Sequence, residues 1–203
     1  MKKWIGLGCL AALAVFVLVF AVFVMGSYNS LVTLDQGVKS AWAQVENDYQ
    51  RRFDLVPNLV ETVKGAANFE KDTFTAVTEA RSQVGKMSAA GADKLTSDPE
   101  AFKKFEAAQN GLSSALSRLM VVVEKYPDLK ATQNFRDLQA QLEGTENRIA
   151  VARMRFNEAA QAFNTKRNRF PTVVIAGFFG SKFAEKAYFS AQAGAEAAPK
   201  VKF

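Results

Sequence analysis

From residue 4 to residue 25 the chain carries no charged side chain. As a helix rising about 1.5 Å per residue, that run can cross the roughly 30 Å hydrocarbon layer of a bilayer. Beyond it, apolar residues return every three or four positions, the spacing of helices packed along a seam. Leu31, Val38, Trp42, Val45, Tyr49, Val56, Leu59 and Val63 keep one phase up to Gly65. Phe102, Phe105, Leu112, Leu116, Leu119, Val123 and Tyr126 make a second stripe. Phe135, Leu138, Leu142, Ile149, Ala152, Phe156, Ala159, Phe163 and Phe170 make a third. A shorter helix is predicted over 69–84, capped by Asn68 after the break at Gly65, with Phe74, Val77 and Arg81 on one face.

Punctuation joins these segments. Residues 85–99, rich in Gly, Ser, Ala and Asp, read as a loop; Ser97-Asp98-Pro99-Glu100 starts a helix with a capping side chain, Pro in the first turn and then an acid. Tyr126-Pro127-Asp128 is a tight reversal. Pro57 falls inside the first stripe, where it removes a backbone donor and crowds the preceding turn. The stripe stays in phase across it, which favours a kink; the alternative is a hairpin over 54–58. The fold class is therefore all-α: an N-terminal transmembrane helix, then an antiparallel up-down-up-down four-helix bundle with a long, kinked first helix. The expected divisions are a short flank over 1–3, the span over 4–25, the bundle over 28–170, an apolar and basic membrane-proximal segment over 171–189, and a tail over 190–203.

A cleaved signal peptide has a shorter apolar core and ends at a small-x-small site. Here Phe16, Phe20 and Phe23 prolong the run and no good cleavage site follows, so the segment is expected to be retained. Cys9, the sole cysteine, sits too early in the run for a lipoprotein and reads as a small apolar residue. Lys2 and Lys3 precede the span and the next basic residue is Lys39. The positive-inside rule then puts the N-terminus in the cytoplasm and the bundle outside the bacterial inner membrane.

The formal charge of +6 is uneven. Lys166, Arg167, Arg169, Lys182, Lys186, Lys200 and Lys202 crowd the C-terminal end, which should prefer anionic surfaces. Next to Lys166, Arg167 and Arg169 lies the apolar run 172–179, which includes Val173, Val174, Ile175, Phe178 and Phe179. Too short to span, it has two readings: a cap on the bundle's apolar end, or a wedge lying in anionic headgroups.

Polar stripes flank the seams. Glu146, Arg153, Asn157 and Asn164 are seven, four and seven apart, on one flank of the last helix. Asn47, Arg51, Asp54, Asn58 and Glu61 form a counterpart on the first. Two readings stand: the stripes meet as a partly buried network that fixes register, or both are solvated flanks.

The chain has no histidine. That removes the usual zinc and carboxylate-bridged metal sites, the Ser-His and Cys-His nucleophile pairs and the commonest general base. Paired carboxylates such as Asp54 with Glu61, or Glu143 with Glu146, remain, and neighbouring arginines explain them as ion pairs. Gly177-Phe178-Phe179-Gly180 lacks the spacing of a phosphate cradle, and no helix interleaves basic residues with exposed aromatics as nucleic-acid binding would require. Neither a cofactor nor a nucleic-acid partner is expected.

Several ordered segments together resemble the LemA family of bacterial membrane proteins. They are Tyr28-Asn29-Ser30-Leu31-Val32, the run from Arg52-Phe53-Asp54-Leu55 through Val56-Pro57-Asn58-Leu59-Val60, Ala80-Arg81-Ser82, Tyr126-Pro127-Asp128-Leu129-Lys130, Thr145-Glu146-Asn147-Arg148-Ile149-Ala150-Val151-Ala152-Arg153, Phe156-Asn157, and the ending Pro199-Lys200-Val201-Lys202-Phe203. Phe53, Phe156 and Phe163 stand where polar or tyrosine-like residues are usual in that family, which implies a drier seam. The resemblance implies a membrane-anchored helical bundle and brings no catalytic residue with it. The motif-like ending suggests a docking strand or a recognised tail.

The expected function is thus a non-catalytic interaction or scaffold module of the cell envelope, held in the lipid bilayer by its first helix and binding an envelope protein or a second copy of itself. The alternative is a lipid-surface sensor working through the basic and apolar segment 166–186. A carboxylate-dependent hydrolase is the remote third reading.

Overall fold

The computed structural model describes residues 2–64, 71–88 and 91–190, and among these the structure is helical with no strand. The first helix, α1 (Lys2–Lys64), is a single element of 63 residues, about 95 Å long at the usual rise. It passes through Pro57 without a break, so the hairpin reading over 54–58 does not hold. One missing donor is tolerated where Val56, Leu59 and Val60 hold both sides of the turn in the core.

The chain continues through α2 (Lys71–Ser88), α3 (Ala92–Ser97), α4 (Pro99–Val123), α5 (Pro127–Lys130), α6 (Gln133–Asn168), α7 (Thr172–Phe178) and a 3₁₀ turn (Gly180–Phe183). Asp98 caps α4 as the sequence suggests, its Oδ1 accepting from the amides of Glu100 and Ala101 at 3.0 and 3.3 Å, with Pro99 in the first turn. Thr132 caps α6 through the Phe135 amide at 3.4 Å. The Asn68 cap, the start of the second helix at Phe69, Lys200, Lys202 and the PKVKF ending lie outside the described residues.

Residues 85–99 are not one loop. The end of α2 and all of α3 fall within them, because Val84 and Leu95 are buried and draw the small residues around them into packed helix. A Cβ at Gly85 would lie 3.7 Å from the Phe53 ring, an ordinary van der Waals contact between α2 and α1. Phe170 also departs from its stripe: it is 84 % exposed. The chain leaves helical geometry at Arg169, and Pro171, lacking an N–H, cannot continue α6.

Every other member of the three stripes is buried or packed against the core. Contacts between α1 and α6 step in opposite senses along the two helices: Tyr28 meets Phe183 just beyond α6, Trp42 meets Phe156, and Arg52 meets Glu146. The core divides in two. The cluster nearer the apolar stretch centres on Trp42, whose ring lies 5.3 to 6.1 Å from those of Phe156, Phe105, Phe102 and Phe189. The far cluster joins Val56, Leu59 and Val63 of α1 to Val77, Leu112, Leu119, Phe135 and Leu142. The apolar stretch of α1 is itself open, with Phe16 70 % exposed. Among the described residues, α1 is the helix long and apolar enough to cross a membrane.

Candidate functional site

Arg52 is the centre of the polar interior. It is 1 % exposed and sits four residues before Val56 and three after Tyr49, in phase with the α1 seam. Its guanidinium donates to Glu146 Oε1 at 2.9 Å, Ser113 Oγ at 2.6 Å and the Gln109 carbonyl at 3.3 Å, and also to Gln109 Oε1. One side chain of α1 thereby ties α4 to α6, and its planar fork suits that geometry better than a point charge would. Its charge also lies 5.0 Å from the centre of the Tyr49 ring. Burial pushes the Tyr49 hydroxyl above its ordinary value, against the opposing pull of the Arg153 and Arg52 charges.

The polar flank of α6 does not meet the stripe of α1. Its last three members hold the chain that follows the 3₁₀ turn, residues 184–190, which runs extended back along α6. Asn164 donates to the Lys186 carbonyl at 2.8 Å and accepts from the Lys186 amide at 2.9 Å. Asn157 repeats the pattern on Phe189, at 3.0 and 2.9 Å. The repeat is a matter of length: seven helical residues rise about 10.5 Å, and three extended residues cover about 10 Å. Arg153 pairs with Glu106 of α4 at 2.6 Å, and Glu106 accepts from the amide and hydroxyl of Ser190 at 3.1 and 3.0 Å. This strap places Phe189 in the core, as the preceding turn places Phe183, and brings Lys186, almost fully buried, to Asp35 of α1 at 2.7 Å.

Arg51, Asp54, Asn58 and Glu61 are exposed. Asp54 accepts from Gln50 at 2.8 Å and Glu61 pairs with Lys64 at 2.7 Å, both within α1. Glu146 meets Arg52 rather than any member of that stripe. Among the described residues no group of three or more acids and cysteines is placed to hold a metal ion.

The segment expected to lie beside the membrane divides by face. Ile175 is buried with Thr172 and Ala176 against the body, whereas Val173, Val174, Phe178 and Phe179 are exposed. Arg169 is exposed and Lys166 half-buried, while Arg167 donates to the Phe183 carbonyl at 2.6 Å. Lys186 is spent on Asp35, so the basic cluster open to a surface is smaller than the sequence suggests.

Sequence reasoning missed Arg52, Gln109, Glu106 and Asp35 as structural groups. The available signal was their phase: Asp35, Arg52 and Gln109 fill gaps in otherwise apolar stripes.

A profile of the LemA family matches residues 41–203. Magnetosome protein MamQ 2 of Paramagnetospirillum magneticum is 30% identical over 183 residues, covering 83% of this chain and 67% of that protein. Magnetosome protein MamQ of Magnetospirillum gryphiswaldense is 30% identical over 172 residues, 78% of this chain and 63% of that protein. Protein LemA of Metamycoplasma hominis is 26% identical over 164 residues, 79% and 70% of the two. With the profile matching residues 41–203 and a relative 30% identical over 83% of its length, the chain belongs to the LemA family.

Proposed function

We propose that this protein is a non-catalytic, membrane-anchored scaffold of the bacterial cell envelope. In this reading α1 crosses the inner membrane once with its N-terminus in the cytoplasm, and α1, α2, α4 and α6 form an up-down-up-down bundle on the far side. The exposed flank at Arg51, Asp54, Asn58 and Glu61 recruits an envelope protein, a second copy of the chain included.

The observation that carries the reading is the continuity of α1 from its open apolar stretch into the aromatic core around Trp42. A rod shared by anchor and body holds a surface at a fixed height above a bilayer, which is what a scaffold needs. The buried polar groups support the same view, since Arg52, Glu106, Arg153, Asn157 and Asn164 are engaged with one another, with other side chains or with the strap. The names of the relatives refer to a magnetosome and to the family, not to a reaction.

The test is a photoreactive benzoylphenylalanine placed at Asn58 of the full chain in native membranes. A discrete protein adduct that disappears with Asp54→Arg is the expected result. No protein adduct at that flank would overturn recruitment through it.

A further inference from the structure

Apart from the apolar stretch of α1, the large apolar side chains open to solvent gather in one place. Phe170, Val173, Val174, Phe178 and Phe179 lie on and around α7, with Val174 64 % and Phe178 87 % exposed. The other exposed large apolar residues among those described are Val121 of α4, Val151 and Met154 of α6, and Tyr188 of the strap, none of them next to α7 in the chain. Exposed apolar side chains concentrated on so short an element mark a contact surface rather than the ordinary scatter of a soluble face.

The position of α7 names the contact. Tyr28, three residues past the end of the apolar run, packs its ring on Phe179 at 4.9 Å and on Phe183 at 5.5 Å. Lys182 bonds the Tyr28 hydroxyl. The short helix is therefore fixed at the height where α1 leaves its apolar stretch, within about one helical turn of Met25. Its buried residues, Thr172, Ile175 and Ala176, fasten it to the body, so its open face is presented by a rigid mount. Around that face Arg169 and Lys182 are exposed, and a groove of about 580 Å³ beside it is lined by Tyr28, Phe179, Lys182 and Lys186 along with Asp35 and Lys39. Apolar side chains flanked by the exposed cations Arg169 and Lys182 at a membrane exit match the layered chemistry of an anionic bilayer surface, acyl chain below and phosphate above.

The geometry points to α7 as a second membrane contact: its open face lies in the headgroup layer of the bilayer that α1 crosses, with Phe170, Val174 and Phe178 toward the acyl chains and Arg169 and Lys182 toward anionic phosphates. This rests on α1 as the anchor. Two attachments at one height stop the body swinging on a single rod and set its tilt, so lipid charge becomes a quantity the protein reads.

The experiment uses the full chain with Cys9→Ser, reconstituted into phosphatidylcholine vesicles with and without phosphatidylglycerol. Nitroxide labels go singly at Phe16→Cys, Val174→Cys, Phe178→Cys and Val121→Cys, and power saturation compares oxygen, which enters lipid, with a water-soluble nickel chelate. Labels at 174 and 178 should resemble the label at 16, with nickel accessibility several-fold below that at 121. That shielding should deepen with phosphatidylglycerol and weaken with Arg169→Glu. Labels at 174 and 178 as open to nickel as the label at 121 would overturn the inference while a lipid-exposed label at 16 left the anchor intact. Shielding from both reagents would also overturn it, because a protein surface would then cover the face. A nickel-accessible label at 16 would overturn the anchor and this inference together.

Discussion

Arg52 and Glu146, 94 positions apart, meet at 2.9 Å, and the arginine end of the pair is buried while the glutamate side chain is 42% exposed. The asymmetry is informative. A half-hydrated carboxylate offsets the desolvated guanidinium without being fully desolvated itself, and the neutral acceptors Gln109 and Ser113 take further hydrogen bonds from its two terminal nitrogens. Arg52→Ala should therefore cost about 3 kcal/mol by loss of charged hydrogen bonds and exposure of their buried partners. Arg51→Ala, one residue away and exposed, should stay within about 0.5 kcal/mol. Denaturant unfolding of both variants checks the contrast; equal effects would contradict the placement of the two arginines.

Trp42 touches four aromatic rings from three parts of the chain. Trp42→Ala should destabilise the body by about 3 to 5 kcal/mol, read as a fall in melting temperature. An unchanged melting temperature would mean that the ring is not in the core.

The strap is held by two amide clamps, and each can be removed separately. Asn164→Ala leaves the Lys186 amide and carbonyl without partners, a loss of about 1 to 3 kcal/mol. Hydrogen exchange at residues 184–190 should quicken while α4 and the first half of α6 keep their protection. Unaltered exchange in the strap would show that Asn164 does not hold it.

Tyr49 gives the fold a pH dependence of known sign. Its hydroxyl holds its proton above the ordinary value of about 10 because burial disfavours the phenolate. The unfolded chain releases that proton first as pH rises, so this contribution to stability is complete below about pH 10 and is lost as pH climbs through the raised folded value. As pH rises above about 10 the wild type should lose stability relative to Tyr49→Phe. Parallel stability curves for the two proteins would contradict a buried, neutral Tyr49.

The long helices and most of the core are legible in the sequence because each stripe faces one seam and keeps its phase along its length. The polar interior is legible only in outline. Arg52 and Gln109 stand where the three-four spacing demands a core residue, and Thr145, fully buried, fills the same kind of gap in α6. A gap in an apolar phase, rather than a row of charges beside it, is the mark of a buried polar group here. The polar residues beside the α1 seam, Arg51, Asp54, Asn58 and Glu61, are an ordinary exposed flank. The strap was hidden for a different reason: extended chain held by side-chain amides has no periodicity of its own, and only the spacing of Asn157 and Asn164 on α6 registers it.

In the proposed arrangement α1 carries the helical body on the outer face of the inner membrane. A tag at the C-terminus of the full chain, with protease added to intact spheroplasts, tests it most directly. The tag should be cleaved before lysis. Protection in intact spheroplasts, with cleavage once they are lysed, would place the body in the cytoplasm and contradict it.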